Sequence, residues 1–121
     1  MKIAVIGAGA MGSIYGGKLS KTNEVYLVVR KQPVADEINT NGVIIDENGE
    51  SNVYRPHAVI DSREVGCVDL VILFVKATTS ESALAGNTAL IGPETRLMTL
   101  QNGAGHEDIL GKFAAENRIV I

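Results

Sequence analysis

The sequence predicts an α/β fold: a doubly wound, mostly parallel sheet with helices on both faces. Three observations predict it. Short apolar runs alternate with stretches of helical spacing. The clearest runs are apolar throughout, as strands buried on both faces are. No repeat, low-complexity segment or linker interrupts the 121 residues, so one domain over 1–121 is expected.

The elements follow in order. "KIAVIG" (2–7) is a first strand, buried on both faces. Met11, Ile14, Tyr15 and Leu19 then recur at helical spacing, with Gly12 and Gly16 on the same side, where they let the helix approach the sheet. "EVYLVVR" (24–30) is a second strand. "VADEINTNG" (34–42) holds one short helix ending at Gly42. Asn48-Gly49 lies between two apolar-polar stretches and predicts a β-hairpin near 43–55. "HAVID" (57–61) reads as a short strand and "DLVILFV" (69–75) as the central one. Ser80 caps a helix to about Leu90, which Gly92-Pro93 stops. "RLMTL" (96–100) is the next strand. Glu107 and Asp108 open a further helix with Ile109, Leu110 and Phe113 on its inner face, and "RIVI" (118–121) starts one more strand.

Composition excludes several classes. Hydrophobic residues make up 45% and charged residues 21%, ordinary for a soluble globular domain. The net charge of −3 argues against a nucleic-acid surface. The apolar run "LVILFV" is far too short to span a bilayer. One lysine and four apolar residues before Gly7 do not make a signal peptide, so a cytoplasmic location is the default expectation. Cys67 is the only cysteine, which rules out an internal disulfide. His57, His106 and Cys67 are far apart in sequence, and no metal site is expected.

Gly7-Ala8-Gly9-Ala10-Met11-Gly12 is a complete G-x-G-x-x-G between a buried strand and a helix. Gly7 permits the tight turn, Gly9 lets the backbone approach a pyrophosphate, and Gly12 lets helix and strand pack closely. The helix N-terminus offers N–H groups and a partial positive charge to phosphates. These features define a Rossmann-type dinucleotide site. The second strand ends in Arg30-Lys31, the central strand in Lys76, and the next in Gln101-Asn102-Gly103. In a parallel sheet those ends share one edge, where ligands bind. An acidic residue about 20 residues past the glycine pattern ordinarily grips a ribose hydroxyl. Arg30 stands there instead. A carboxylate would repel a 2′-phosphate, whereas a guanidinium clamps it, so NADP is expected rather than NAD. Lys31 either shares that phosphate or faces water.

"MKIAVIGAGAMGSIYGGKL", Arg30, "VILFVKA" with Lys76 and "LQNGAG" with Asn102 together resemble the N-terminal domain of ketopantoate reductases (2-dehydropantoate 2-reductases) over essentially the whole chain. The resemblance implies that the glycine loop, Arg30 and Lys76 bind NADPH. It implies that Asn102 contacts both the nicotinamide side of the cofactor and the substrate. It further implies a small-molecule keto-acid substrate and hydride transfer to 2-dehydropantoate, giving pantoate for pantothenate and coenzyme A synthesis. Such enzymes carry a second, mostly helical domain with a catalytic lysine and a substrate-binding glutamate. The chain is therefore expected to be an excised cofactor domain, inactive alone, with no catalytic residue of its own. Two departures stand out: His106 where relatives often have a second asparagine, and Thr78-Thr79 after "VKA". Two rival readings are an NADP-dependent reductase of another 2-keto acid and a non-enzymatic nucleotide sensor. The apolar edge near Ile119 to Ile121 is expected to show some tendency to associate, so a homodimer is also anticipated.

Overall fold

The structure is a computed structural model that describes residues 1–7, 10–74, 82–99, 112–113 and 119–120. Among the described residues the main sheet has six strands: β1 (Lys2–Ile6), β2 (Glu24–Val28), β5 (His57–Val59), β6 (Leu70–Leu73), β7 (Arg96–Thr99) and β8 (Ile119–Val120). They lie in the order β5-β2-β1-β6-β7-β8, and every pairing between them is parallel. Among these six the order is 3-2-1-4-5-6, that of the dinucleotide-binding fold, and it reverses between β1 and β6.

Apolar strands without alternation need two covers, and two cores supply them. Ala4, Ile6, Val28, Val71, Leu73 and Leu97 meet Leu84 and Leu90 on one face. Ile3, Val5, Val25, Leu27 and Ile72 meet Ala35 and Ile38 of helix α2 (Gln32–Asn41) on the other. Helix α1 (Ala10–Leu19) shares that second face, where a Cβ on Gly16 would run into the Leu27 side chain.

The helical spacing in α1 holds, but its two stripes separate. Gly12, Gly16 and Gly17 are buried, whereas Ile14 and Tyr15 are 37% and 44% exposed. Close packing against the sheet leaves room only for the glycine side, so the larger side chains turn outward. Tyr15 stacks on Phe74, with ring centroids 5.5 Å apart.

Other boundaries shift by a few residues. Helix α2 starts at Gln32, with Pro33 in its first turn, and ends at Gly42 (φ 77°), whose N–H donates to the Ile38 carbonyl at 2.8 Å. Strands β3 (Val43–Glu47) and β4 (Glu50–Tyr54) form the hairpin as a separate antiparallel sheet. Asn48 (φ 51°) and Gly49 (φ 81°) both take left-handed conformations, which two-residue turns of type I′ require. The expected helix to Leu90 is shorter: helical turns cover 82–85, and a separate 3₁₀ turn runs Thr88–Leu90. Gly86 and Asn87 break it, and Asn87 Nδ2 donates to the Ala83 carbonyl at 2.7 Å, capping the end. Ser80 and the helix expected from Glu107 lie outside the described residues, although Phe113 packs on the first core. Ile119 also packs on that core and is half-buried, so it is less exposed than the edge reading supposed; Ile121 lies outside the described residues. No described helix is long and apolar enough to cross a membrane.

Candidate functional site

Gly7 follows β1 with φ 91°, a conformation that a side chain would strain. The turn brings α1 so close that a Cβ on Gly12 would lie 2.5 Å from the Gly7 carbonyl oxygen and 3.6 Å from the Phe74 ring. The first and last glycines of the pattern are thus required by backbone geometry. Ala8 and Gly9 lie outside the described residues, and Ala10 and Met11 are described as the first turn of α1.

Strand register fixes what faces this turn. Ile6 pairs with Val28 on one side and Leu73 on the other, so Gly7, the residues after Val28, and Phe74 emerge together at the carboxyl edge. Phe74 N–H donates to the Ile6 carbonyl at 2.9 Å, and Val29 N–H donates to Val59 at 2.9 Å. A cleft of about 660 Å³ opens there, at the switch point of the sheet. That volume suits a small-molecule ligand. Gly7 forms its floor with Ile6. Arg30 and Lys31 form one rim, Val34 and Ile60 continue it, and Phe74, Ala83 and Asn87 stand opposite.

The cleft is built for negative charge. Arg30 and Lys31 are exposed, and neither makes an ion pair among the described residues. No carboxylate lines the cleft among those residues. Lys31 is also the N-cap of α2, without a side-chain cap. Neither α1 nor α2 carries an acidic residue in its first turn. Two helix N-termini thus keep their partial positive charge uncompensated beside two cations. Just outside, Asp61 accepts bonds from Arg63 at 2.7–3.1 Å, and those bonds hold its carboxyl down at about 2.

The structure therefore brings Gly7, Gly12, Arg30 and Lys31 to one place. Lys76 and Asn102 lie outside the described residues. Sequence reading missed the apolar walls, Val34, Ile60 and Phe74, and the N-terminus of α2 on the rim. Pro33 carried the signal for the latter, since proline favours a helix's first turn. Nothing in sequence marked Ile60, which reaches the cleft only because β5 pairs with β2.

The model of the ketopantoate reductase PanE/ApbA family matches residues 3–121. The chain belongs to this family. Curated relatives named 2-dehydropantoate 2-reductase include one from Streptococcus pyogenes serotype M1, 33% identical over 122 residues and all of this chain. Another, from Lactococcus lactis subsp. lactis, is 36% identical over 126 residues. The chain spans 39% and 40% of these two relatives. Among solved structures, one assigned as a 2-dehydropantoate 2-reductase from Enterococcus faecalis is 35% identical with a TM-score of 0.88. A D-mandelate dehydrogenase with NADH and anilino(oxo)acetate is 38% identical with a TM-score of 0.86. Each match covers 99% of this chain and 40% of the other. The glycine turn and the switch-point cleft both fall within the matched residues 3–121.

Proposed function

We propose that this chain is the NADP-binding part of a 2-dehydropantoate 2-reductase. The observation that carries the reading is Arg30: it stands just after β2 on the rim of the cleft whose floor is Gly7, and no described carboxylate takes the ribose position. The fit is specific. The Gly7 turn and the α1 N-terminus suit a pyrophosphate. Arg30 offers paired donors to a 2′-phosphate, with Lys31 beside it. The apolar walls at Val34 and Ile60 suit the flat faces of a base. When bound, NADPH supplies the hydride that reduces a keto carbon to an alcohol. The chain's own residues hold and orient the cofactor. Lys76 and Asn102 belong to the same proposal, Asn102 at the nicotinamide and substrate end. The catalytic acid is assigned to residues outside this chain, so the 121 residues alone should bind cofactor without reducing keto acid.

A second reading has its own support. The 38% identity to a D-mandelate dehydrogenase holding NADH favours a reductase of another 2-keto acid, using either cofactor. One titration separates the cofactor readings: dissociation constants of NADPH and NADH for the parent and Arg30→Ala at two salt concentrations. A hydrogen bond to a charged group is worth about 1.5–3 kcal/mol, so NADPH should weaken roughly ten- to a hundredfold. NADH should hardly change, and the preference should shrink with salt. A parent that prefers NADH, or equal weakening of both, would overturn the NADP assignment. Comparing 2-dehydropantoate with aryl 2-keto acids in the full-length enzyme then decides the substrate.

A further inference from the structure

We propose that the outer face of the β3–β4 hairpin is a two-fold interface between two copies of this chain. The face begins with alternation. Along β3, Ile45 is buried while Ile44 and Asp46 are exposed; along β4, Tyr54 is buried while Ser51 and Val53 are exposed. The buried side rests on the C-terminal half of α1, where Gly17 approaches Tyr54 and Val43. The exposed side has an unexpected centre. Ile44 and Val53 sit directly opposite each other in the register and are 62% and 50% exposed. A cross-strand aliphatic pair is normally turned toward a core.

Charge is arranged about that centre. Val53 lies two residues from Ser51 and two from Arg55, about 6.8 Å each way along an antiparallel strand. On the Ser51 side stands Asp46, its cross-strand partner, whose carboxylate accepts a bond from Ser51 Oγ. On the other side stands Arg55, exposed, its side-chain hydrogen bonding among the described residues limited to a long 3.5 Å approach of Nη1 to the Thr40 carbonyl. Most of its five donors have no partner among the described residues. The strip reads anion, aliphatic pair, cation, with equal spacing. A two-fold axis lying in the contact plane and crossing the strands at Ile44–Val53 maps the strip onto itself with its ends exchanged. Aliphatic pair then meets aliphatic pair, and the Arg55 end of each copy meets the partner's Asp46 end. Such self-complementarity is what an isologous interface requires. A partner of another kind would need only one of these features, not their symmetry about Val53.

The geometry also leaves the cleft open. Helix α1 runs back from the carboxyl edge, and Gly17 is about 10 Å along its axis from Ala10. The hairpin therefore packs toward the amino edge, away from Gly7 and Arg30. So few side chains place the contact at the weak end of specific interfaces, below about 1,200 Å².

The test is sedimentation of the chain over a concentration series, at low and high salt. The parent should show a mass rising from monomer toward dimer at high micromolar concentration, and high salt should shift the rise upward. Val53→Lys should abolish it. Asp46→Arg and Arg55→Glu alone should each weaken association roughly tenfold or more, because each leaves like charges facing. The two together restore opposite charges across the axis and should return association to within about threefold of the parent. Far-ultraviolet dichroism would confirm that each variant is folded. A parent monomeric at every concentration, association untouched by Val53→Lys, or a double variant no better than its singles would each overturn the proposal.

Discussion

Two depressions of nearly equal size lie at opposite edges of one sheet, about 660 Å³ at the carboxyl edge and about 630 Å³ at the amino edge. Both are lined by cations. At the amino edge, however, polar groups answer one another. The Lys2 N–H donates to Asp69 Oδ2 at 2.7 Å, and its ammonium donates to the Val65 carbonyl at 2.8 Å while lying 5.5 Å from the Tyr26 ring centroid. The Tyr26 hydroxyl donates to Glu24 at 2.8 Å, and that bond, more than burial, raises its pKa. At the carboxyl edge Arg30 and Lys31 have no such partners among the described residues. Volume does not distinguish a site from a seam here; satisfaction does. Charges answered within the chain hold strands together, and unanswered ones are free to hold a ligand.

Breaking the turn beneath the carboxyl cleft should have the largest effect. Gly12→Ala forces a methyl group to within 2.5 Å of a backbone oxygen that cannot swing away. Overpacking of this kind costs about 1–3 kcal/mol, and the displaced helix should also lose cofactor. Gly16→Ala meets the movable end of Leu27 and should cost less. Urea unfolding of the two variants checks the order. Next comes the contrast between two cations. Arg30→Ala should lose NADPH affinity as given above while its unfolding midpoint stays within about 0.5 kcal/mol of the parent. Lys2→Met should do the reverse, losing about 1 kcal/mol of stability with its bond to Val65 and leaving cofactor affinity unchanged. If both variants lose stability alone, the two edges do not differ in kind.

The smallest effect concerns Asp61, whose pairing is internal although it borders the cleft. Its folded pKa is depressed from 3.8 to about 2, chiefly by the Arg63 side chain. Its contribution is therefore present above pH 4 and lost as pH falls through about 2. Asp61→Asn should be slightly less stable than the parent at pH 7, with most of that difference gone near pH 2. Thermal melts at both values would show it, and a difference that persists undiminished in acid would mean that the 3₁₀ cap, not the charge, is responsible.

What was legible in sequence was what local chemistry dictates. Apolar runs gave the strands, Asn48-Gly49 gave the hairpin turn, and Gly7 and Gly12 gave the loop, because each requirement is met by residues adjacent in the chain. What tertiary contact decides was not legible. Ile14 and Tyr15 had the spacing of a buried stripe, yet the glycine side of the same helix won the sheet because backbone approach there gains more contact. Ile60 joined the cleft through strand pairing. The helix after 82 ended early at Gly86, where Asn87 supplied a cap that the distant Gly92-Pro93 stop had obscured. Arg30 was readable as a strand end, but its lack of a described ion-pair partner was visible only in three dimensions.

The strand order has a consequence for synthesis. Strand β1 sits between β2 and β6, so the ribosome delivers its two neighbours at very different times. After Val28 emerges, roughly 45 more residues must follow before Leu73 can close the other side, about 2–9 s at ordinary translation rates. Throughout that interval the most apolar edge of the nascent sheet is an open template for other chains. The hairpin at 43–54 emerges within the same window and closes locally in microseconds, occupying its own backbone groups before they can pair wrongly with β1. The vulnerable period in this protein's life is thus set by the distance between two strands along the message, and chaperone demand should concentrate there.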